Sequence, residues 1–362
     1  MSPVAPASAY DVGAEALGER LRAWGEPAYR VKQVLDGLWR RGATYEDMTG
    51  LPVALRERLA TEFPIGVELV DERTADRGAT RKGLLRLGGR HLIEVVLMGY
   101  EDRVTACISS QAGCAMDCGF CATGQMGLLG NLTAGQIAAQ VAWARREAAR
   151  LPASTPRRLT NVVFMGMGEP LANERHVFAA IARMTADDGM RLGSRHITLS
   201  TVGLAPGIRR LADVHPQVGL AVSLHAADDE TRSRLVPPNE RWPLAVLEAA
   251  IAAWRERTHR RPSLEWAMIA GENDSDAQAR LLAPIARRLR AHVNLIPLNP
   301  TPGWPTQPSS ARRIRGFVAV LERAGVNVTV RDTRGRAIDA ACGQLRLSHA
   351  AGVGAAPDVA AR

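Results

Sequence analysis

Three cysteines occur in the spacing Cys114-x-x-x-Cys118-x-x-Cys121, inside the run GCAMDCGFCATG. Thiolates bind metals, and three of them so close together in a chain with only five cysteines favour a metal site over simple packing. Structural zinc sites are closed by four ligands, whereas a [4Fe-4S] cluster held by three cysteines keeps one iron open. The spacing therefore predicts an iron–sulfur cluster with one iron available to bind a reacting molecule.

Polar and glycine-rich residues follow the predicted strands after this motif. The run NVVFMGMGEP ends in Gly168 and Glu169; glycine lets the backbone approach a ligand closely, and a carboxylate accepts hydrogen bonds from an ammonium group. Each of the later residues could be an ordinary turn residue, but their shared position at strand ends favours one binding site. They are Ser200, Ser223, Leu224, His225 and Asn299.

Three further residues are candidates for chemistry. Cys107 lies on the strand that leads into the cysteine motif, and Cys342 lies in the run DAACGQL. Each could be an inert buried thiol, but a cysteine pair that forms a transient disulfide in a reducing compartment would be catalytic or redox-active. Glu94 lies in the apolar run HLIEVVLM, where it is either an edge-strand charge facing water or a buried base.

The elements that must position these residues follow from periodicity. Residues 12–63 have apolar positions at helical spacing, and residues 65–98 read as strands joined by polar turns. From about residue 104, six apolar β-branched runs alternate with helix-length segments, and a capping box, Thr133-x-x-Gln136, opens the first helix. This alternation predicts an α/β fold with a parallel sheet and covering helices. A last strand at 326–330 extends it.

The pattern divides the chain into four parts, which we predict as domains or segments. These are a helical accessory domain at 1-64, a β-strand extension at 65-100, a core barrel at 101-345 and a disordered tail at 346-362.

Composition indicates the compartment and the class of partner. The 362-residue chain has no apolar run long enough to cross a bilayer, and its first residues lack the features of a signal peptide. We therefore expect a cytoplasmic protein that does not bind membranes. The net charge is +9 and the positive charge is nearly all arginine, which favours a polyanionic partner. Any single arginine is better explained by a solvated helix face. Clustered arginines include Arg40, Arg41, Arg255, Arg257, Arg287, Arg288, Arg312 and Arg313.

The motifs resemble those of the radical S-adenosylmethionine (SAM) superfamily. CxxxCxxC with Phe120 before the third cysteine is similar to its cluster signature, and GMGEP is similar to its GGEP motif, which binds the amino group of SAM. The resemblance implies a partial (β/α)6 radical SAM barrel, a [4Fe-4S] cluster and SAM bound to its open iron.

Longer runs resemble the RlmN type of dual-specificity RNA methyltransferase. These runs are SSQAGCAMDCGFCATGQMG, NVVFMGMGEPL, AVSLHAADDETR, NLIPLNP, RGRAIDAACGQL and, near the start, YRVKQVLDGLWRRG. The resemblance implies methylation of adenine C2 in 23S rRNA at the peptidyl transferase centre, and at the adenosine 3′ to the anticodon in tRNA. It further implies a flavodoxin-type electron donor and a monomer.

The same resemblance implies a role for each candidate residue. Cys342 takes a methyl group from one SAM, and the cluster on Cys114, Cys118 and Cys121 cleaves a second SAM to a radical that removes hydrogen from that methyl group. The resulting carbon adds to adenine C2, Glu94 accepts the C2 proton, and Cys107 forms a disulfide with Cys342 to release the product. The SAM contacts are Gly168, Glu169, Ser200, Ser223, Leu224, His225 and Asn299.

Two alternatives remain open at this stage. The Cfr-type activity, which methylates C8 of the same adenosine, shares all five cysteines, although the stretch CATGQMGLLGNLTAGQI resembles the C2 type more closely. An iron–sulfur binding or electron-transfer protein without methyltransferase activity is the second alternative. It leaves Cys107, Cys342 and GMGEP without a function.

Overall fold

The computed structural model describes residues 8–301, 304–331 and 338. Its strands are β1 (Val67–Ala75), β2 (Thr80–Leu87), β3 (His91–Gly99), β4 (Val104–Cys107), β5 (Gln111–Gly113), β6 (Leu128–Asn131), β7 (Asn161–Phe164), β8 (Ile197–Thr201), β9 (Gly219–Ser223), β10 (Ser263–Met268), β11 (His292–Pro297) and β12 (Asn327–Val330). Its helices are α1 (Ala14–Ala23), α2 (Tyr29–Leu35), α3 (Val53–Glu62), α4 (Ala122–Gln125), α5 (Ala134–Ala148), α6 (Glu174–Thr185), α7 (Ala205–Val214), α8 (Asp229–Leu235), α9 (Leu244–Thr258), α10 (Asp276–Arg288) and α11 (Ala311–Arg323).

The first three helices pack their apolar stripes together. Leu17, Leu21, Val34, Leu55 and Leu59 are all buried, as the helical spacing of the sequence predicts. A π-helical turn continues α2 and ends at a left-handed glycine. These helices share the main apolar core with the sheet.

One ten-stranded sheet runs through the molecule in the order β1-β2-β3-β4-β7-β8-β9-β10-β11-β12. The strands from β4 to β12 along this order are parallel, and β1, β2 and β3 extend it with antiparallel pairing. The partial radical SAM barrel with a β extension is therefore confirmed, and the strand predicted at 326–330 is β12.

Side chains alternate between the two faces of this sheet. Ile93, Val95, Ala106, Val162 and Leu199 point outward, where they are fully buried. The strand pairing connects the residues of the opposite face from β2 to β11. This face is more polar, because part of it lines a cavity instead of packing against a layer of helices. We call these two sides the outer and inner faces.

The helix α5 begins at the predicted capping box. The Thr133 hydroxyl accepts a hydrogen bond from the Gln136 N–H, and the Gln136 side chain accepts one from the Thr133 N–H. The helix lies against the outer face, where the ring of Trp143 comes so near β2 that a Cβ on Gly83 would stand 2.7 Å from it. A glycine on β2 thus permits the close packing of α5.

One local element was not predicted from the sequence. The strands β5 and β6 form a separate two-stranded antiparallel sheet on either side of the cysteine motif. Each has only three or four residues, too few to give an alternating pattern. The predicted tail at 346-362 and Cys342 lie outside the described residues, and the proposed domain division stays a prediction. No helix in the described part of the chain is long and apolar enough to span a membrane.

Candidate active site

A cavity opens at the C-terminal ends of the parallel strands. This is the end of a β/α barrel where binding residues gather. Nine of the residues selected from the sequence line it: Cys114, Cys118, Cys121, Gly168, Glu169, Ser200, Ser223, His225 and Asn299. The selected residue Leu224 is different, because its side chain is buried in the core and does not line the cavity.

The cysteine loop is closed at its base by β5 and β6. The Cys114 N–H donates a hydrogen bond to the Gly127 carbonyl at 2.9 Å, and the Cys121 N–H donates to the Cys118 carbonyl at 3.0 Å. Gly113 has a left-handed backbone, and a Cβ there would stand 2.0 Å from the Gly127 carbonyl oxygen. These bonds hold the three cysteines along one loop at the mouth of the barrel.

Burial controls the protonation of these thiols. It raises the pKa of Cys114 to about 12 and the pKa of Cys118 well above its ordinary value. A buried thiol is therefore protonated near neutral pH, and metal binding must displace the proton to make the thiolate ligand. The site thus suits a metal group that binds strongly to sulfur.

The arrangement of the cysteines is informative about the kind of metal group. No group of three or more His, Cys, Asp and Glu side chains in the described residues is arranged to hold a single metal ion. The thiolate ligands of a [4Fe-4S] cluster bind separate irons, so they need not surround one point. All three cysteines face one cavity with room for a cluster and a further molecule, and the donor set fits that group.

Glu169 forms part of the cavity wall close to Cys114, whose thiol interacts with the Glu169 backbone. Burial raises its pKa to about 7, and its two carboxylate oxygens accept hydrogen bonds from the Leu171 and Val202 N–H groups, each at 2.9 Å. Gly168 before it has φ of 95°, and a Cβ there would stand 2.5 Å from the Gln111 side chain. The backbone therefore fixes a carboxylate that an ammonium group of a ligand would stabilise.

His225 connects the end of β9 to the cysteine loop. Its Nδ1 accepts a hydrogen bond from the Ala267 N–H at 3.0 Å, and its ring meets Phe120 edge to face at 4.8 Å. Burial, with a smaller contribution from Arg232, lowers the pKa of His225 to about 3. The imidazole is therefore neutral at physiological pH. A neutral ring can pack against a bound ligand, but it cannot act as an acid catalyst.

Two buried charged residues near the cavity were missed in the sequence. Arg232 is 1% exposed and donates to the carbonyls of Leu224 and Val202 and to Asn239 Oδ1. Glu265 lines the cavity and accepts hydrogen bonds from Ser263 and Asn294, each at 2.6 Å. The signal for Glu265 was the one used for Glu94, a carboxylate in an apolar strand.

Cys107 and Glu94 lie on the inner face but do not line the cavity. Glu94 is 3% exposed, and β3 lies between β2 and β4, so the interpretation as an edge-strand charge facing water was wrong. The Glu94 carboxylate is 3.0 Å from the ammonium of Lys82, which is also buried. The structure therefore brings Cys107 and Glu94 to the same face, whereas Cys342 lies outside the described residues.

Several of the clustered arginines have acidic partners on the surface. Arg40 pairs with Asp36 at 2.9 Å and Arg288 with Glu248 at 2.7 Å. Exposed pairs of this kind contribute little to stability.

Comparison with known proteins places this site in a family. Residues 108–281 match the radical SAM superfamily. A protein of Salinispora tropica named probable dual-specificity RNA methyltransferase RlmN is 53% identical over 330 residues, covering 89% of this chain and 88% of the relative. The chain belongs to the RlmN family. A Chloroflexus aurantiacus protein of the same name is 46% identical, covering 94% of this chain and 93% of its own.

A solved structure supports the same assignment. The crystal structure of a radical SAM methyltransferase from Sphaerobacter thermophilus has a TM-score of 0.89 and 48% sequence identity, covering 94% of this chain and 99% of the other. The protein is thus a radical SAM RNA methyltransferase. Membership of this superfamily implies a [4Fe-4S] cluster and SAM, for which the cysteine loop and Glu169 provide fitting groups.

Proposed function

We propose that this protein methylates C2 of an adenosine in 23S rRNA at the peptidyl transferase centre, and C2 of the adenosine 3′ to the anticodon in tRNA. The observation that carries the proposal is its relation to curated RlmN proteins, which reaches 53% identity over 89% of the chain. The cysteine loop, with Cys114 and Cys118 buried, and the cavity beside it support the same chemistry.

The cofactors divide the work with the chain. When bound, the cluster and SAM supply a radical able to remove hydrogen from an unactivated methyl group. We propose that Cys114, Cys118 and Cys121 hold the cluster, and that Glu169 binds the amino group of SAM. We assign the remaining SAM contacts to backbone and side chains at strand ends, namely Gly168, Ser200, Ser223, Leu224, His225 and Asn299.

Three residues of the chain carry out the transfer in this proposal. Cys342 carries the methyl group that becomes attached to adenine C2. Glu94 accepts the proton from C2. Cys107 then attacks the sulfur of Cys342: an S–S bond forms, the bond from that sulfur to the transferred carbon breaks, and its electron pair stays on the carbon, which takes up a proton to become the methyl group of the released base. Cys107 ends β4 and lies on the same face of the sheet as Lys82, with β3 between their two strands. This position supports a reaction on this face.

RNA binding is proposed for the surface around the mouth and for the helical domain at 1-64. The net charge of +9 supports binding to phosphates, and the target base must leave its stack to reach a buried site. We propose a flavodoxin-type protein as electron donor and a monomeric, cytoplasmic enzyme.

The test uses the full chain under anaerobic conditions. The cluster is reconstituted, SAM with a labelled methyl group, reductant and a 23S rRNA fragment are added, and the digested RNA is analysed by mass spectrometry. Label at adenine C2 with the wild type, and none with Cys342→Ala, is the expected result. Cys342→Ala should still cleave SAM, because it keeps all the cluster cysteines.

Other results would overturn the proposal in distinct ways. Label at C8 would assign the Cfr-type reaction instead. Cleavage of SAM without any labelled RNA would show that the substrate is wrong, and no cleavage of SAM under reducing conditions would favour an electron-transfer protein.

A further inference from the structure

We propose that Lys82 is a positioning residue for the reaction: its buried ammonium holds Glu94 in the ionised form that accepts the proton from the substrate base. This inference rests on the proposed function, because it takes Glu94 as the base. Lys82 is one of only two lysines in the chain.

The contact between the two side chains is short and buried. Lys82 Nζ is 3.0 Å from Glu94 Oε1, and the two side chains are 4% and 3% exposed. The backbone of Glu94 is also fixed, because its carbonyl accepts a hydrogen bond from the Ser109 hydroxyl at 2.8 Å and its N–H points to the Met167 sulfur. The carboxylate is thus held in one place on the inner face.

The pairing of the strands places this ion pair beside Cys107. Lys82 is opposite Val96 across β2 and β3, and Val96 is opposite Cys107 across β3 and β4. Directly paired residues share a face, so Lys82, Val96 and Cys107 form one row, with the two outer Cα atoms about 10 Å apart at the usual strand spacing. The strand β3 runs antiparallel to β4. Glu94 lies near the start of β3 and is therefore beside the C-terminal end of β4.

The other charged groups on this face have partners of their own. In the described part of the chain, Glu94 contacts Lys82 on β2, the Ser109 hydroxyl and the Met167 sulfur, and Cys107 lies on the neighbouring strand β4. Further along the face, Arg73 pairs with Asp71 at 3.4 Å and Arg86 pairs with Glu68 at 3.2 Å, and both pairs are more exposed. Lys82 is therefore a cation in direct contact with Glu94.

A base must be ionised before it can accept a proton. Burial alone favours the neutral acid, and an ammonium at contact distance favours the carboxylate. In the transfer, the C2–H bond of the adenine breaks, its electron pair stays on the base, and an O–H bond forms on Glu94. Lys82 takes no part in the proton transfer itself and acts only through Glu94.

The experiment follows RNA methylation by reconstituted full-length enzyme over a range of pH. The variants are Lys82→Met and Lys82→Gln, which remove the charge, and Lys82→Arg, which keeps it. The matched control is Arg81→Met, because Arg81 is the next residue on β2 and forms a buried ion pair on the outer face. A substrate with deuterium at adenine C2 reports whether proton removal limits the rate.

The charge-removing variants should shift the acid limb of the pH profile to higher pH. If the limb moves one or two units above neutrality, methylation at pH 7 falls about 10- to 100-fold and recovers as the pH rises. The deuterium isotope effect should increase at the same time. Lys82→Arg should restore the wild-type profile, and Arg81→Met should leave the profile and the isotope effect of the folded enzyme unchanged.

The results separate this inference from the proposed function. If Glu94→Gln methylates RNA normally, the assignment of the base is wrong. If Glu94→Gln is inactive but Lys82→Met and Lys82→Gln keep the wild-type pH profile and isotope effect, Lys82 has no role beyond the fold. Loss of activity in Arg81→Met with the same shift in profile would also overturn the inference, since it would show a general effect of weakening β2.

Discussion

Arg81 and Lys82 are neighbours on β2, yet they form two different kinds of buried ion pair. On the outer face, the Arg81 guanidinium contacts Glu72 at 2.6 Å and Glu147 at 3.1 Å, and Arg150 contacts Glu147 at 2.9 Å. On the inner face, Lys82 contacts Glu94 at 3.0 Å. The outer network joins β1, β2 and α5, whereas the inner pair joins only β2 and β3.

The difference separates a network that links three elements from a pair to which we assign a role in the reaction. A planar guanidinium can bind two carboxylates at once, so Arg81 links a helix to the sheet. Burying a single ammonium and carboxylate is often no better for stability than apolar packing. We therefore explain the charged pair on the inner face, which also carries Cys107, by the proposed proton transfer rather than by a gain in stability.

The largest expected effect comes from comparing Glu94→Gln with Glu147→Gln. Removing a general base lowers the rate of methylation by about 10²- to 10⁴-fold, so Glu94→Gln should lose most of its activity, measured in single turnover. Glu147→Gln should be less stable to heat but methylate at the wild-type rate per folded molecule. Because either change leaves a buried cation with less compensation, rates are corrected for the folded fraction by circular dichroism. Equal losses of activity would remove the distinction between the two faces.

Glu169 gives a prediction for a buried carboxylate whose hydrogen bonds come from backbone N–H groups. Its pKa is about 7 in the folded protein and 4.5 ordinarily, so the native state binds more protons than the unfolded state between these values. The free energy of unfolding should fall by about 3 kcal/mol as the pH rises across this window. Urea unfolding of the metal-free, SAM-free protein measures the change, and Glu169→Gln should abolish that slope. A slope that persists in the variant would assign it to other groups.

Gly83→Ala tests the close packing of α5 on the outer face. The added Cβ would stand 2.7 Å from the Trp143 ring, and overpacking of this kind costs about 1–3 kcal/mol. Gly50→Ala is the matched control, because no atom lies within 4 Å of a Cβ there. Thermal unfolding should therefore show a clear loss of stability for Gly83→Ala alone. Similar stabilities for the two variants would mean that α5 adjusts freely.

The smallest effect is expected at the start of α5. Thr133→Ala removes the hydroxyl that accepts from the Gln136 N–H and should lower the free energy of unfolding by about 1 kcal/mol. Thr133→Ser keeps the hydroxyl and should stay near the wild type in the same urea titration. If Thr133→Ser lost as much stability as Thr133→Ala, the methyl group of Thr133, rather than its capping hydroxyl, would be responsible.

Local patterns predicted much of the fold and the site. The cysteine spacing, the capping box at Thr133 and the β-branched runs each depend on residues close in sequence, and the structure has the corresponding loop, helix and strands. Glu169 was selected because a glycine-rich turn followed a strand, and it lies in the cavity wall. Such features are set by backbone preference and by short-range hydrogen bonds, which the sequence displays directly.

Other features could not be predicted because they depend on contacts between distant segments. Arg232 was missed since its partners lie on loops after two other strands, and the β5–β6 sheet was missed because neither strand has an alternating pattern. Whether Glu94 is buried or faces water depends on the order of the strands, which the residues around it in sequence do not show.

The sequence by itself determined the alternating elements, the cysteine loop and the resemblance to a methyltransferase family, because these follow from residue type and local spacing. The tertiary structure decided which charges meet. Lys82 and Glu94 lie on different strands, and only the register between β2 and β3 puts them on one face at contact distance. The same register sends Arg81 to the opposite face, toward α5, because successive residues of a strand point to opposite sides of the sheet.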